Sequence, residues 1–353
     1  MTFIAHISKF TRRYILSPES IICFVLIIII YNTFHHVKPL WNYWQRAMPK
    51  FNLRRSREEV SVSADIDSIA QKDRTSWEMM KGNAAMFAIQ GRRPHMEDRF
   101  NMVHDMEGTK TSLYGIFDGH GGEFAAEFVE KTIFKELMVR LLRPSTEDNT
   151  SDNLTQILAQ EVLSVDSRLL DIERSSFDIS GTTALIAIVR DRILTVANVG
   201  DSRGVICDKE GKTIPLSFDH KPQQVKERKR IKEAGGFVSF NGVWRVSGVL
   251  ATSRALGDYP LKEKNLVIAD PDILTFDLNE LQPEFMILAS DGLWDCFSNE
   301  DAVDYVRERL DEPHFGAKSL VLQAYYRGSL DNITVMVVNF KQTSSDIANK
   351  KER

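Results

Sequence analysis

Between residues 84 and 340 short apolar runs alternate with turn-forming residues, and the runs sort by period. Those at 84–90 (AAMFAIQ), 113–117 (LYGIF), 183–189, 193–199, 204–207, 213–216, 285–289 (FMILA) and 333–338 (ITVMVV) are brief and bounded by Gly, Asp or Asn, which predicts strands. Brief turns holding Asp191 and Asp208-Lys209-Glu210-Gly211 join several of them, the mark of antiparallel hairpins. Two longer stretches repeat at three- and four-residue steps. Ala125, Phe128, Val129, Thr132, Ile133, Leu137 and Leu141 form one stripe. Leu154, Ile157, Leu158, Val162, Val165 and Leu169 form another beyond a polar loop at 144–153. Each predicts a helix packed by one face on a core. A basic helical stretch at 222–234, stopped by Gly235-Gly236, and a hairpin at 237–246 turning on Asn241-Gly242 predict a flap bordering a site. Ser298 caps a helix with Asp301 three residues on, and a further helix is expected at 317–326.

The two ends depart from this pattern. Residues 21–30 (IICFVLIIII) are almost wholly aliphatic and are extended by Tyr31-Asn32-Thr33-Phe34. As a helix, 21–34 would span about 21 Å, against roughly 30 Å of bilayer hydrocarbon. A single membrane anchor is the preferred reading. The alternatives are a cleaved signal peptide, for which no small-x-small site follows, and a buried helix, for which there is no polar face. Tyr14, Trp41, Tyr43 and Trp44 flank the run as interfacial aromatics would. Lys38, Arg46, Lys50, Arg54 and Arg55 follow it against three basic residues before it, which places the C-terminal body in the cytosol. So short a span suits the endoplasmic reticulum better than the plasma membrane. The expected division is a tail at 1–20, an anchor at 21–37, a tether at 38–82 with a short helix near 65–73, a globular domain at 83–341, and a polar tail at 342–353.

Composition narrows the class. A 353-residue chain with 43% hydrophobic and 27% charged residues has the balance of a soluble globular body. The net charge of −4 is uneven: residues 1–60 are basic and the remainder acidic. An acidic body argues against nucleic-acid binding, and a basic head suits an anionic membrane surface. Cys23, Cys207 and Cys296 are scattered, which excludes a disulfide framework and a structural zinc site. The loop of cysteine phosphatases, the GxxxxGK[ST] phosphate loop and HExxH are all absent.

The informative residues are the acids at element ends. Asp118 leaves the 113–117 run in the sequence FDGHGG, Asp291 leaves 285–289 in ASDG, and Asp331-Asn332 opens 333–338. Glu97 and Asp98 follow the first strand, and Asp201 lies between two strands. If those ends face one cleft, the carboxylates cannot all stay ionised without cations. An all-oxygen donor set points to Mg²⁺ or Mn²⁺ with several retained waters. Two such ions would make a hydroxide at neutral pH, suited to attack on phosphorus. Arg93 would grip phosphate oxygens and His120 would protonate the leaving oxygen. Each residue has a plainer reading too. Asp118, Asp291 and Asp331 suit simple turns, Asp201 a salt bridge with Arg203, His120 a structural hydrogen bond, and Thr183 core packing.

Taken in order, GRRPHMED, FDGHGG, SGTT, GDSR, ASDGLWD and DN resemble the metal-dependent serine/threonine protein phosphatases of type 2C, over residues 84–340. The resemblance implies an α+β fold, with two antiparallel β-sheets packed as a sandwich and helices on the outer faces (α-β-β-α). It implies hydrolysis of phosphoserine and phosphothreonine by a hydroxide bridging two divalent metals. Asp118 would bridge both ions, and the Gly119 carbonyl would bind the first. Asp291 and Asp331 would bind the second, Glu97 and Asp98 would hold metal waters, and Asp201 with Asp291 would form a weaker third site. Arg93 would bind the phosphate, His120 would be the general acid, and Thr183 would lie near the metal waters. The expected partners are phosphoprotein substrates, including kinase-pathway components, and a membrane; the expected state is a monomer. Two other classes remain open, a tethered scaffold without turnover and a metal-dependent nuclease favoured only by the basic helix.

Overall fold

In the computed structural model, residues 76–142 and 151–341 are described, and their strands lie mostly in two antiparallel sheets. The expected anchor, the tether as far as residue 75 and the tail at 342–353 lie outside the described residues. Among the described residues no helix is long and apolar enough to cross a membrane.

In chain order the strands are β1 (Ser76–Lys81), β2 (Ala84–Ile89), β3 (Arg99–Val103), β4 (Thr111–Phe117), β5 (Gly119–His120), β6 (Gly181–Thr182), β7 (Ala184–Arg190) and β8 (Ile193–Val199). There follow β9 (Arg203–Cys207), β10 (Thr213–Pro215), β11 (Val238–Asn241), β12 (Val243–Val246), β13 (Leu256–Gly257), β14 (Asp272–Asp277), β15 (Phe285–Ala289) and β16 (Ile333–Asn339). One sheet runs β1-β2-β16-β15-β9-β10 and the other β14-β8-β7-β4-β3. A small ladder, β13-β6-β5, extends the second sheet's chemistry-bearing end, and β11-β12 is a separate hairpin. The main helices are α1 (Phe124–Leu142), α2 (Ser151–Ser176), α3 (Val225–Glu233), α4 (Asn299–Arg307) and α5 (Ala317–Tyr326).

Period-2 alternation accounts for the layering, because successive residues of a strand face opposite sides of its sheet. On β2, Ala84, Met86 and Ala88 meet Tyr114, Ile116, Leu185 and Val196 of the other sheet, forming the inner core. Ala85 and Phe87 face outward and pack with Val303, Val306, Leu320 and Val321 of α4 and α5. On the far side, Leu113, Phe117, Ile186 and Ile188 pack against the stripes of α1 and α2, including Ile133, Leu137, Leu158 and Val165. The order is therefore helix, sheet, sheet, helix, as the resemblance implied. Strands with both faces covered read as near-continuous apolar runs, which is why β4, β15 and β16 stood out.

Besides the two-residue β5, β6 and β13, three longer strands escaped the sequence reading. β1 lies within the expected tether and pairs only with β2, so its residues are mostly exposed and carry no apolar run. β3 and β14 are the two edges of the second sheet and are likewise half-buried. The Asn-Gly hairpin forms as expected, with Phe240 opposite Trp244 and Asn241 opposite Val243.

The flap is fixed to the body by charge rather than by a large core. Glu227 of α3 is 2% exposed and Arg254 likewise 2%. They pair at 2.7 Å, and Arg254 also reaches Asp272 of β14 at 3.0 Å. Burial alone would raise the Glu227 carboxyl, but hydrogen bonds and charge from Arg254 outweigh it and bring it down to about 2. Since its folded value lies below the ordinary 4.5, Glu227 stabilises the fold above pH 4.5, and that contribution is lost as pH falls toward 2. Glu227→Gln is expected to cost about 3 kcal/mol near neutral pH and to flatten this acid limb, read by urea unfolding at a series of pH values.

Candidate active site

The site lies where the strands end. β4 runs buried through Phe117 and delivers Asp118 at its exit. β15 does the same for Asp291, through Ser290. β16 starts at Ile333, immediately after Asp331-Asn332. Because β15 and β16 are paired antiparallel neighbours, the end of one and the start of the other lie together. Thr183 joins β4 to the second sheet's next strand: its N–H donates to the Asp118 carbonyl at 2.9 Å, and its Oγ1 accepts the Asp118 N–H at 3.1 Å. Thr183 Oγ1 also lies 2.9 Å from Ser202 Oγ, so the two neutral hydroxyls tie Asp118 to the loop carrying Asp201.

The acids do converge. The Asp118 carboxyl is held well above the usual carboxylate range, first by burial and then by the charges of Asp98, Asp291, Asp201 and Asp331. Asp291 is raised for the same reasons, with Asp201 the leading charge, and Asp118 Oδ2 accepts its backbone N–H at 3.3 Å. Asp98 is buried and accepts hydroxyls from Ser290 at 2.8 Å and Thr334 at 2.6 Å. Burial pushes it up to about 6.

Basic side chains meet the other acids. Arg93 Nη2 lies 2.5 Å from Asp331 Oδ2, and Lys221 Nζ pairs with Asp201. The expected alternative for Asp201, a bridge to Arg203, is overturned: Arg203 takes Asp219 with both arms, at 2.8 and 2.7 Å. The chain bends at Asp201 before β9 begins at Arg203, and Lys221, beyond β10, supplies the cation instead.

His120 and Asp258 form a second, tighter unit, His120 Nε2 lying 2.8 Å from Asp258 Oδ2. Burial pulls the imidazole down, but the Asp258 charge and hydrogen bond outweigh it, so the net direction is up. Gly181, opposite His120 in the β5-β6 ladder, makes the room: a Cβ there would sit 2.2 Å from Asp258 Oδ2 and 2.4 Å from His120 Nε2. Gly119 is forced in the same way, since its Cβ would meet the Glu97 carbonyl at 2.5 Å. That contact sets Gly119 against the loop carrying Glu97 and Asp98. Asn332 staples the same loop, donating to the Gln90 and His95 carbonyls and accepting the Glu97 N–H at 2.8 Å.

Helix α2 supports the Asp258 loop with two acids. Asp166 Oδ1 accepts the Gly257 N–H at 2.9 Å, and Glu173 Oε2 accepts the Tyr259 N–H at 3.1 Å. Asp258, Lys221 and Asn332 were invisible to a search for acids at strand ends. Asp295, which shares the field of Lys221 and Asp201, was also missed, although it follows Asp291 by one helical turn.

The donor set fits hard divalent ions: all oxygen, crowded, and met by two basic side chains. Among the described residues no three carboxylate, imidazole or thiol groups close round one point as a complete protein cage would. Cys207 has no part in this chemistry: it is buried and its thiol is pushed up to about 11 by desolvation.

A two-sheet sandwich with carboxylates at one edge, an arginine and a carboxylate-held histidine defines a metal-dependent phosphohydrolase. Residues 83–333 match the protein phosphatase 2C family, and the chain belongs to it. It is 51% identical to protein phosphatase 1L of Bos taurus, over 98% of this chain and 97% of that protein. It is 48% identical to probable protein phosphatase 2C 59 of Arabidopsis thaliana, over 71% of this chain and 77% of the relative. Among solved structures, the serine-threonine phosphatase 2C of Toxoplasma gondii superposes with a TM-score of 0.66 at 26% identity, covering 75% of this chain and 98% of that one. The chain is accordingly a metal-dependent protein serine/threonine phosphatase.

Two outcomes check this geometry. Asp258→Asn is expected to lower kcat by about tenfold to a hundredfold with an unchanged melting midpoint, read by steady-state kinetics beside thermal denaturation. Lys221→Met removes the cation on Asp201, so the melting midpoint in excess chelator is expected to fall by several degrees, with a smaller fall when Mn²⁺ is present.

Proposed function

We propose that the enzyme hydrolyses phosphoserine and phosphothreonine monoesters at the cleft bounded by Arg93, Asp118, His120, Asp291 and Asp331. Two Mg²⁺ or Mn²⁺ ions, when bound, would neutralise the acids and lower the pKa of a water enough for attack at neutral pH. Asp118 would face both ions with the Gly119 carbonyl beside it, and Asp291 and Asp331 would hold the second. Glu97 and Asp98 would fix waters by hydrogen bonds, and Asp201 with Asp291 would offer a weaker third position, for which Lys221 competes.

Arg93 supports this reading because it is half exposed and borrows Asp331 as its partner. A dianionic phosphate offers the same fork a better match, and taking it frees Asp331. Water adds to phosphorus on the side away from the ester oxygen, the P–O bond to the serine or threonine breaks, and inorganic phosphate leaves. His120, kept protonated by Asp258, gives its proton to that departing oxygen. The single observation carrying the proposal is the convergence of Asp118 and Asp291, whose backbone N–H reaches Asp118 Oδ2 at 3.3 Å, with both carboxyls raised by burial and neighbouring acids, an excess of negative charge that cations would relieve.

The proposal extends to place. The aliphatic run at 21–30 and the basic residues after it support a single anchor in the endoplasmic reticulum, with a monomeric catalytic body in the cytosol acting on signalling proteins near that membrane. An intact acid set disfavours a scaffold without turnover, and an acidic body disfavours a nuclease.

Phosphopeptide hydrolysis is expected to appear with Mn²⁺ and to vanish in chelator. Asp118→Asn is expected to lower kcat by about a hundredfold or more; full activity in that variant, or without metal, would refute the assignment. In cell fractionation the full chain should pellet with membranes through alkaline carbonate, and removal of residues 1–41 should release a soluble, active body.

A further inference from the structure

Beside His120 the surface turns apolar against expectation. Helix α2 ends at Ser176, and Phe177 follows it with φ +58°. This is the left-handed position after a helix where glycine is the ordinary residue, and a bulky side chain there is strained. Phe177 nevertheless stays and is 80% exposed. Two residues on, Ile179 is 61% exposed, and Phe124, at the start of α1, is 38% exposed. Neither backbone preference nor burial explains a phenylalanine at 177.

The segment is held in place. Asp178 Oδ1 accepts both the N–H and the hydroxyl of Ser180, at 2.8 and 2.5 Å, and Ser180 Oγ accepts the Ala125 N–H at 3.1 Å. It also adjoins the catalytic histidine. Gly181 pairs with His120 in the ladder, and the next residues carry the contact on: a Cβ on Gly121 would lie 3.4 Å from the Ile179 carbonyl. The apolar ridge is therefore continuous with the wall that carries the proton donor.

Strain at a site rim, exposure and continuity with the cleft combine with one consequence of the reaction. The proton from His120 goes to the ester oxygen of the substrate residue, so the peptide bearing that residue emerges on His120's side. We infer that Phe177, Ile179 and Phe124 form a docking ridge for apolar side chains flanking the phosphorylated residue, making the enzyme selective for phosphopeptides with hydrophobic neighbours. The inference rests on the proposed role of His120.

The test uses the full chain with Mn²⁺ and three substrates: p-nitrophenyl phosphate, a phosphothreonine peptide with Leu on both sides, and the same peptide with Asp on both sides. The variant is the double substitution Phe177→Gly, Ile179→Ser. Glycine suits the backbone at 177, so the melting midpoint should hold or rise. Wild type is expected to prefer the Leu-flanked peptide by about tenfold in kcat/KM, mainly through KM. The variant should lose that preference while hydrolysing p-nitrophenyl phosphate as before. Equal kcat/KM for the two peptides in wild type, or an undiminished preference in the variant, overturns the inference and leaves the phosphatase reading intact. Equal losses on all three substrates also overturn it, as a structural effect. A concentration-dependent dimer that the variant dissolves, with peptide selectivity unchanged, would put a second copy on the ridge and overturn it as well. Failure of wild type on every substrate would instead remove the proposed mechanism beneath it.

Discussion

Like charges crowded out of bulk water are the constraint on which the rest of this structure depends. At one edge of the sandwich Asp98, Asp118 and Asp291 are raised by burial and by the acids around them, Asp201 and Asp331 among these. A protein does not keep so costly an arrangement for stability, since each uncompensated buried charge opposes folding. Basic side chains meet part of that charge, Arg93 on Asp331 and Lys221 on Asp201.

The fold is arranged to sustain that cost. The two sheets bury an aliphatic core between them and another on each outer face, and only the strand ends are spared. Antiparallel pairing then fixes which ends coincide, so Asp291 and Asp331 meet because β15 and β16 are neighbours of opposite direction. A layer of neutral hydrogen bonds holds the acids without adding charge: Thr183 and Ser202 behind Asp118, Ser290 and Thr334 behind Asp98, Asn332 behind the loop of Glu97. His120 is supported separately, through Asp258 and the α2 acids Asp166 and Glu173.

Much of this was legible in the sequence, for a physical reason. A strand covered on both faces must be apolar throughout, so a carboxylate at its end is conspicuous, and Asp118, Asp291 and Asp331 were found that way. The edge strands β1, β3 and β14 were not, because half-exposed strands carry mixed sequence that resembles a loop. Asp258 and Lys221 are charged residues in loops, where charge is ordinary, and only pairing in space distinguishes them. The Asp201–Arg203 pairing failed because nearness in sequence was taken for nearness in space, whereas Lys221 and Asp219 arrive from the next loop.

The most direct measurement is anomalous diffraction from crystals of residues 76–353 grown with Mn²⁺. The account predicts two manganese peaks in the cleft, one beside Asp118 and the Gly119 carbonyl and one among Asp118, Asp291 and Asp331, with Arg93 turned away from Asp331. Crystals with millimolar Mn²⁺ present, no peak in the cleft and the Arg93–Asp331 contact intact would contradict it.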